Sequence, residues 1–452
     1  MNKSQKTRHQ GSILIVTIWI CLFLAGLVLV AARSARVQAM ATANRLAGAQ
    51  AEWIARGALA LVLSQIDGTD GRRRVGEEIN WEAVPSGPGY FWLLKPDLED
   101  EHQYAFGVMD EAAKINLNAA DEDMMLKLPG MTEELAAAII DWRSSQPAAS
   151  SQLAGDEYYL LLKPPYYCKR APLETVEELL LLKGASLFIL FGEDINRNGF
   201  LDLTENNGEE APPSDNADNH LDRGLYPFVT VVSSQANVTL SQEHLIDVNS
   251  TDTTELVSLL QSVVSSERLF SVLERVRRGR PFRSTLDFFF RAGLSVEEFK
   301  KVEPRITVGR RARQVGLVNL VTACRQVIAC LPGLEEADVE ALINKRQAPD
   351  TDLTSLAWVA ETLPGEKAAA IGEWVTTRSF QFSADIVAVS SDGRAFKRYR
   401  AIIDGRSRPP RVLSFQDLTG LGWPLSREIL TALRSGKTLL QPELTTGTGG
   451  NR

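Results

Sequence analysis

The chain reads as an α+β fold in which one long N-terminal helix packs on a small antiparallel sheet and a large, mostly helical insertion separates the strands. Three observations predict it. Residues 12–66 contain no proline and pass from an apolar run into Ala-, Leu-, Arg- and Gln-rich sequence, which favours one continuous helix. Strand-like alternation occurs near 89–113 and returns at 379–406. Between these segments a helical pattern built around Leu-Pro-Gly occurs twice.

Ser12 to Ala32 carry no charge and are mostly apolar. About 20 residues at ~1.5 Å rise cross a hydrocarbon core of roughly 30 Å, so residues 12–32 are expected to span a membrane. A secretory signal has a shorter apolar core, roughly 7–15 residues. The leader, residues 1–11, carries Lys3, Lys6 and Arg8 and ends on Gly11, directly before Ser12. Arg33 and Arg36 follow the run, so charge asymmetry alone does not orient it. The full helix, residues 12–66, would be roughly 80 Å long. Val37, Met40, Ala47, Ile54, Ala58, Leu61 and Val62 form the stripe expected to face the sheet.

The sheet domain is expected from residues 67–118 and 373–415, with strands at 89–95 and 104–113 and a hairpin pairing Phe380–Val389 with Ala395–Ile403 across Ser-Asp-Gly. Val412-Leu413 adds a short strand. Arg394, Lys397, Arg398, Arg400 and Arg406 make the hairpin locally basic, as a solvated face would be. Residues 416–452 are read as a tail, Thr/Gly-rich and disordered from about Leu440.

The insertion, residues 119–372, holds the repeat. Residues 113–143 and 316–346 both begin apolar-Asn-Leu, continue as a helix, break at Leu-Pro-Gly and end in a helix closing on arginine. Pro129-Gly130 and Pro332-Gly333 punctuate two helical hairpins. A partial copy starts at Leu245, and 172–186 and 282–299 add short helices. The hairpins resemble helix-hairpin-helix (SAM-like) modules. Nucleic-acid-binding versions carry a second glycine two residues on, where this chain has Thr132 and Glu335. The net charge of −8 and pI near 5.4 also argue against a phosphate-binding surface, so no nucleic acid is expected. The hairpins are read as packing modules that make protein contacts.

Residues 194–205 fit the EF-hand loop at each diagnostic position. Asp194, Asn196 and Asn198 supply side-chain oxygens, Phe200 a carbonyl, Asp202 an oxygen directly or through water, and Glu205 two; Gly199 makes the turn. The expected ion is Ca2+. The flanks do not read as a helix pair, which points to an isolated loop. The acidic residues that follow, Glu209-Glu210 and Asp215 to Asp222, are read as solvated. Of four cysteines, Cys21 lies in the apolar run, Cys168 is distant, and Cys324 with Cys330 is the candidate disulfide pair. The four histidines, His9, His102, His220 and His244, form no zinc motif and no G-x-S-x-G elbow is present, so no enzyme is expected.

The basic leader ending in glycine before an apolar helix resembles the type III signal of type IV pilins and pseudopilins. The run D-E-x-x-K-I-N-L-N from Asp110 and A-A-A-I-I-D-W-R at 136–143 resemble, more specifically, the minor pseudopilin K family of type II secretion systems, over nearly the whole chain. The resemblance implies cleavage by a prepilin peptidase between Gly11 and Ser12, an inner-membrane anchor with the bulk of the chain in the periplasm, and a pilin-like domain capped by the helical one. It also implies a place at the tip of a short filament with the I and J pseudopilins, nucleating assembly and meeting secretin or secreted cargo. Pilins carry glutamate at the fifth mature position; here it is Val16, as in the K subunit. Ser12 stands where pilins commonly have phenylalanine. Two other readings stay open: a membrane-tethered helix-hairpin-helix DNA receptor of the competence type, and a minor pilin of another type IV filament.

Overall fold

The computed structural model describes residues 10–66, 71, 75, 79–145, 155–210, 215–237, 244–309 and 313–439, and of residues 10–12 the backbone only. Most of the basic leader and the Thr/Gly-rich end from 440 lie outside the described residues.

A single helix runs Gln10–Ile66. Its apolar stretch touches nothing else in the protein, and it is long and apolar enough to cross a membrane. Packing begins at Ala47. From there Ala47, Ala51, Ile54, Ala58, Val62 and Ile66 recur at helical spacing and are buried, their small size bringing the helix close to the sheet. Val37 and Met40, expected on the same stripe, precede the sheet and are exposed.

The sheet runs in the order Val84–Ser86, Gly89–Lys95, Gln381–Val389, Phe396–Asp404, Arg411–Asp417. The expected strand at 104–113 is broken into Ala105–Phe106 and Met109–Asp110, each pairing with a different neighbour, and then a turn of 3-10 helix, Glu111–Ala113. All nine residues of Gln381–Val389 are buried because both faces are covered. Phe382, Ala384, Ile386 and Ala388 face the long helix. Val387 and Val389, with Trp92 and Leu94, face Leu425, Ile429, Ala432 and Leu433. The last three belong to helix Arg427–Arg434, capped by the Ser426 hydroxyl. Residues 416–439 are therefore part of the sheet domain rather than a tail: without this helix Val387, Val389, Trp92 and Leu94 would lose their cover.

The helical insert has its own apolar core, separate from the two that flank the sheet. It contains three modules, each closed by a two-residue parallel bridge: Ile115–Asn116 with Val229–Thr230, Ile246–Asp247 with Ile306–Thr307, and Val318–Asn319 with Val375–Thr376. These bridges widen the expected insert of 119–372 to roughly Glu111 through Arg378. The hairpins at the two full repeats are Glu122–Leu126 with Glu133–Arg143, and Arg325–Ala329 with Glu336–Gln347. Gly130 and Gly333 turn them at φ +71° and +72°, where a side chain would be strained. The 172–186 segment forms the 3-10 helix Val176–Leu181, and 282–299 forms Thr285–Ala292 and Val296–Val302.

The residues that the modules share explain their likeness. Asn118 clasps the backbone of Leu173, donating from Nδ2 to its carbonyl at 2.9 Å and accepting from its N–H at 2.8 Å, and donates to the Val231 carbonyl at 3.1 Å. Asn249 holds Phe282 in the same way, at 2.8 and 2.9 Å. The arginine closing each full repeat returns to its beginning: Arg143 donates to the carbonyls of Leu117 and Ala120, and Arg346 to those of Leu320 and Ala323. The third module has Val321 where Asn118 would stand. Asn118→Ala orphans buried backbone groups at about 1–3 kcal/mol each, so urea unfolding of the detergent-solubilised chain should show a loss of about 2–4 kcal/mol. Val321→Ala should cost about 1 kcal/mol or less.

Candidate functional site

The loop 194–205 runs from the short helix Leu187–Phe191 to a single 3-10 turn, Leu203–Glu205, with no long helix on either side. Asp194 shapes its first half. Oδ1 accepts from the Asn198 N–H at 2.9 Å and Oδ2 from the Gly199 N–H at 3.0 Å, folding the chain around one carboxylate. Gly199 sits at φ +72°, and a Cβ there would come within 2.6 Å of Pro96, so no other residue fits. Phe200 stacks on Tyr104 with ring centroids 4.3 Å apart, and the Leu201 N–H donates to the Glu101 carbonyl at 2.8 Å. These contacts fasten the loop to the segment after strand Gly89–Lys95.

The oxygens meet in the middle. Asp202 Oδ2 accepts from Asn196 Nδ2 at 2.6 Å and from Asn198 Nδ2 at 2.9 Å, and the buried Glu205 carboxylate accepts from the Asp202 N–H at 3.2 Å. Desolvation pushes the Glu205 carboxyl up to about 9, and the charges of Asp194 and Asp202 add to the rise. Asp194 is raised to about 6, chiefly by desolvation, and Asp202 is raised for the same reason. Three carboxylates so placed repel one another; the two amide NH2 groups turn toward Asp202, and the charges of Arg398 and Arg223 pull Asp194 down against its burial. Among the described residues no three His, Cys, Asp or Glu side chains make a metal cage by themselves. The donor set here is mixed, with Asn196 and Asn198 amides and the Phe200 carbonyl completing it. Three carboxylates, two amides and a backbone carbonyl within one twelve-residue loop are the oxygen-donor types that a hard cation takes.

The acidic residues beyond the loop are bound up locally. Asp215 accepts from the N–H groups of Asn207, Gly208 and Ala217, and Glu193 from those of Asn216 and Asp222.

Two expectations are corrected. Arg398 is not part of a solvated face: unlike the exposed Arg394, it is completely buried and pairs with Asp385 at 2.8 Å, since the loop 194–205 lies over that part of the strand. Cys324 and Cys330 are free thiols. They cap opposite ends of helix Arg325–Ala329. Six residues of helix rise about 9 Å, beyond the reach of a disulfide. Cys330 Sγ instead faces the Gln326 carbonyl at 3.2 Å, and burial lifts its thiol to about 12.

Sequence reasoning missed Asp385, Arg398, Pro96 and Pro424 as parts of the site's surroundings. One signal was available. Asp385 is the only charged residue in Gln381–Val389, and an ionised group in a strand covered on both faces requires a partner.

Residues 113–188, which open the insert with its first hairpin, match the family described as Type II secretion system (T2SS), protein K. No curated protein matches the chain. Among solved structures, the chain is similar to a chain of the crystal structure of the GspK-GspI-GspJ complex from the enterotoxigenic Escherichia coli Type 2 Secretion System. The two are 12% identical with a TM-score of 0.42, over 84% of this chain and 99% of that one. Alkylation of the denatured chain without reductant should label both Cys324 and Cys330, and intact mass would reveal a bond between them as two missing labels. The stretch similar to that family runs from Ala113 through Trp142-Arg143 to Phe188.

Proposed function

We propose that this chain is a minor pseudopilin of a type II secretion system, standing at the tip of its filament and nucleating assembly with I- and J-type partners for export of protein cargo. The match of residues 113–188 to the protein K family carries the reading. The apolar helix running directly into an antiparallel sheet supports it, as an inner-membrane anchor with a periplasmic head.

The placement of the insert supports the tip. The long helix ends at Ile66, whose side chain lies where a Cβ on Gly405 would meet it at 2.7 Å. Strand Gln381–Val389 begins at that same end, where Phe382 pairs with Asp110 and Gln381 pairs with Asp404. The insert thus leaves and rejoins the sheet at the end farthest from the apolar stretch. A bulk at that end fits a subunit that carries no other stacked above it.

The same reading assigns Ca2+ to Asp194, Asn196, Asn198, Phe200, Asp202 and Glu205. The bound ion supplies the positive charge that the converging carboxylates lack. In the wild-type chain calcium should raise the melting temperature and chelator should lower it. Glu205→Gln should abolish the calcium-dependent shift, and differential scanning fluorimetry in detergent reads it.

Processing tests the class. Co-expression with the cognate prepilin peptidase should give a membrane-extracted product whose mass begins at Ser12. An uncleaved Met1, or a chain beginning after Ala32, would overturn the pseudopilin reading. With Ser12 established, affinity capture should retain I- and J-type pseudopilins.

A further inference from the structure

The loop 194–205 lacks the paired helices that ordinarily hold an EF-hand loop in shape, and its rigidity comes from the sheet. Arg398, in strand Phe396–Asp404, is fully buried. Its guanidinium donates from Nε and Nη2 to the two oxygens of Asp385 at 2.9 and 2.8 Å. On its other side Nη1 donates to the Asn196 carbonyl at 2.5 Å and Nη2 to the Arg197 carbonyl at 2.7 Å. One planar fork therefore bridges the central strand and two consecutive peptides of the loop, about 200 residues away in sequence.

Those two peptides are the ones whose orientation matters. Arg197 is held at φ +57°, a conformation that a non-glycine residue adopts at a cost, and its own side chain lies 3.8 Å over the Phe191 ring. With the carbonyls of 196 and 197 held by Arg398, the Asn196 and Asn198 amides on either side of Arg197 reach Asp202. Asn198 is fixed from a second side, Nδ2 donating to the Pro424 carbonyl at 2.9 Å. We infer that Arg398 is a positioning residue for the cation loop: held by Asp385, it sets the backbone at Asn196 and Arg197, and with it the turn that carries Asp194, Asn196 and Asn198, and cation binding in turn tightens the contact between helical insert and sheet.

This rests on the cation reading, and the experiment separates the two. Calcium is titrated calorimetrically into the detergent-solubilised full chain, as wild type, as Arg398→Lys and as the double variant Asp385→Leu/Arg398→Met. Lysine keeps the charge and loses the fork; the double variant removes both charges together, leaving no unpaired ion to unfold the protein. Residues that orient ligands from behind are worth about 10- to 100-fold in metal affinity, so both variants should bind at least about tenfold more weakly. In the wild type, hydrogen exchange should slow with calcium in 396–404 as well as in 194–205, and Arg398→Lys should lose the protection of 396–404. Absence of calcium uptake by the wild type overturns both readings. Uptake by the wild type with either variant within twofold of it, or protection confined to 194–205, overturns the role of Arg398 alone.

Discussion

Polar groups taken out of water must find partners inside the protein, and the joint between sheet and insert where the chain crosses at Asp110 is rich in them. Asp110 Oδ2 accepts from Asn319, Thr322 and Ser379. Its neighbour Glu111 is held by Lys114, Thr230 and Ser383. Gln381 links Asp404 to the Ser234 backbone, and Arg406 reaches the Ser234 hydroxyl. Desolvation raises Asp110 against the pull of its hydrogen bonds, whereas at Glu111 the desolvation penalty is outweighed by Lys114 and the carboxyl is lowered. An apolar joint would tolerate sliding, because dispersion and hydrophobic contacts are non-directional. A network of this kind is satisfied in one register and costly in any other.

That constraint accounts for the shape of the conspicuous sequence motif. In D-E-x-x-K-I-N-L-N, Asp110 and Glu111 face the sheet, Lys114 neutralises Glu111, Ile115 and Leu117 enter the insert core, and Asn116 and Asn118 bind distant backbone. Asn116 donates to the Ser233 carbonyl and hydroxyl, each at 3.0 Å. The motif is where the chain passes from one folding unit to the other, and each polar residue in it has a structural partner on one side or the other.

The long helix, the central hairpin and the two helical hairpins were legible in the sequence because their signals are local: composition for the first, period-two alternation for the second, Leu-Pro-Gly punctuation for the third. The loop 194–205 stood out as a motif for the same reason. What escaped reading is non-local. A two-residue bridge such as Ile115–Asn116 with Val229–Thr230 has no periodicity of its own and a partner more than a hundred residues away. Arg398 stands in a strand rich in basic residues, and only the loop folding over it decides that it is buried. Helix Arg427–Arg434 was within reach, since Ser426 caps it and Ile429, Ala432 and Leu433 mark one face; the short length of the signal beside a Thr/Gly-rich terminus hid it.

The bare section of the long helix has a mechanical meaning. Between Ala32 and Ala47 it runs about 15 residues without support from the rest of the chain, a strut of roughly 22 Å carrying no proline. The buried contacts from Ala47 to Ile66 clamp its far end along the sheet. Anchor and head therefore share one rigid axle. A rotation or a pull applied to the apolar end reaches the sheet along one continuous helix, and through the polar joint the insert above it.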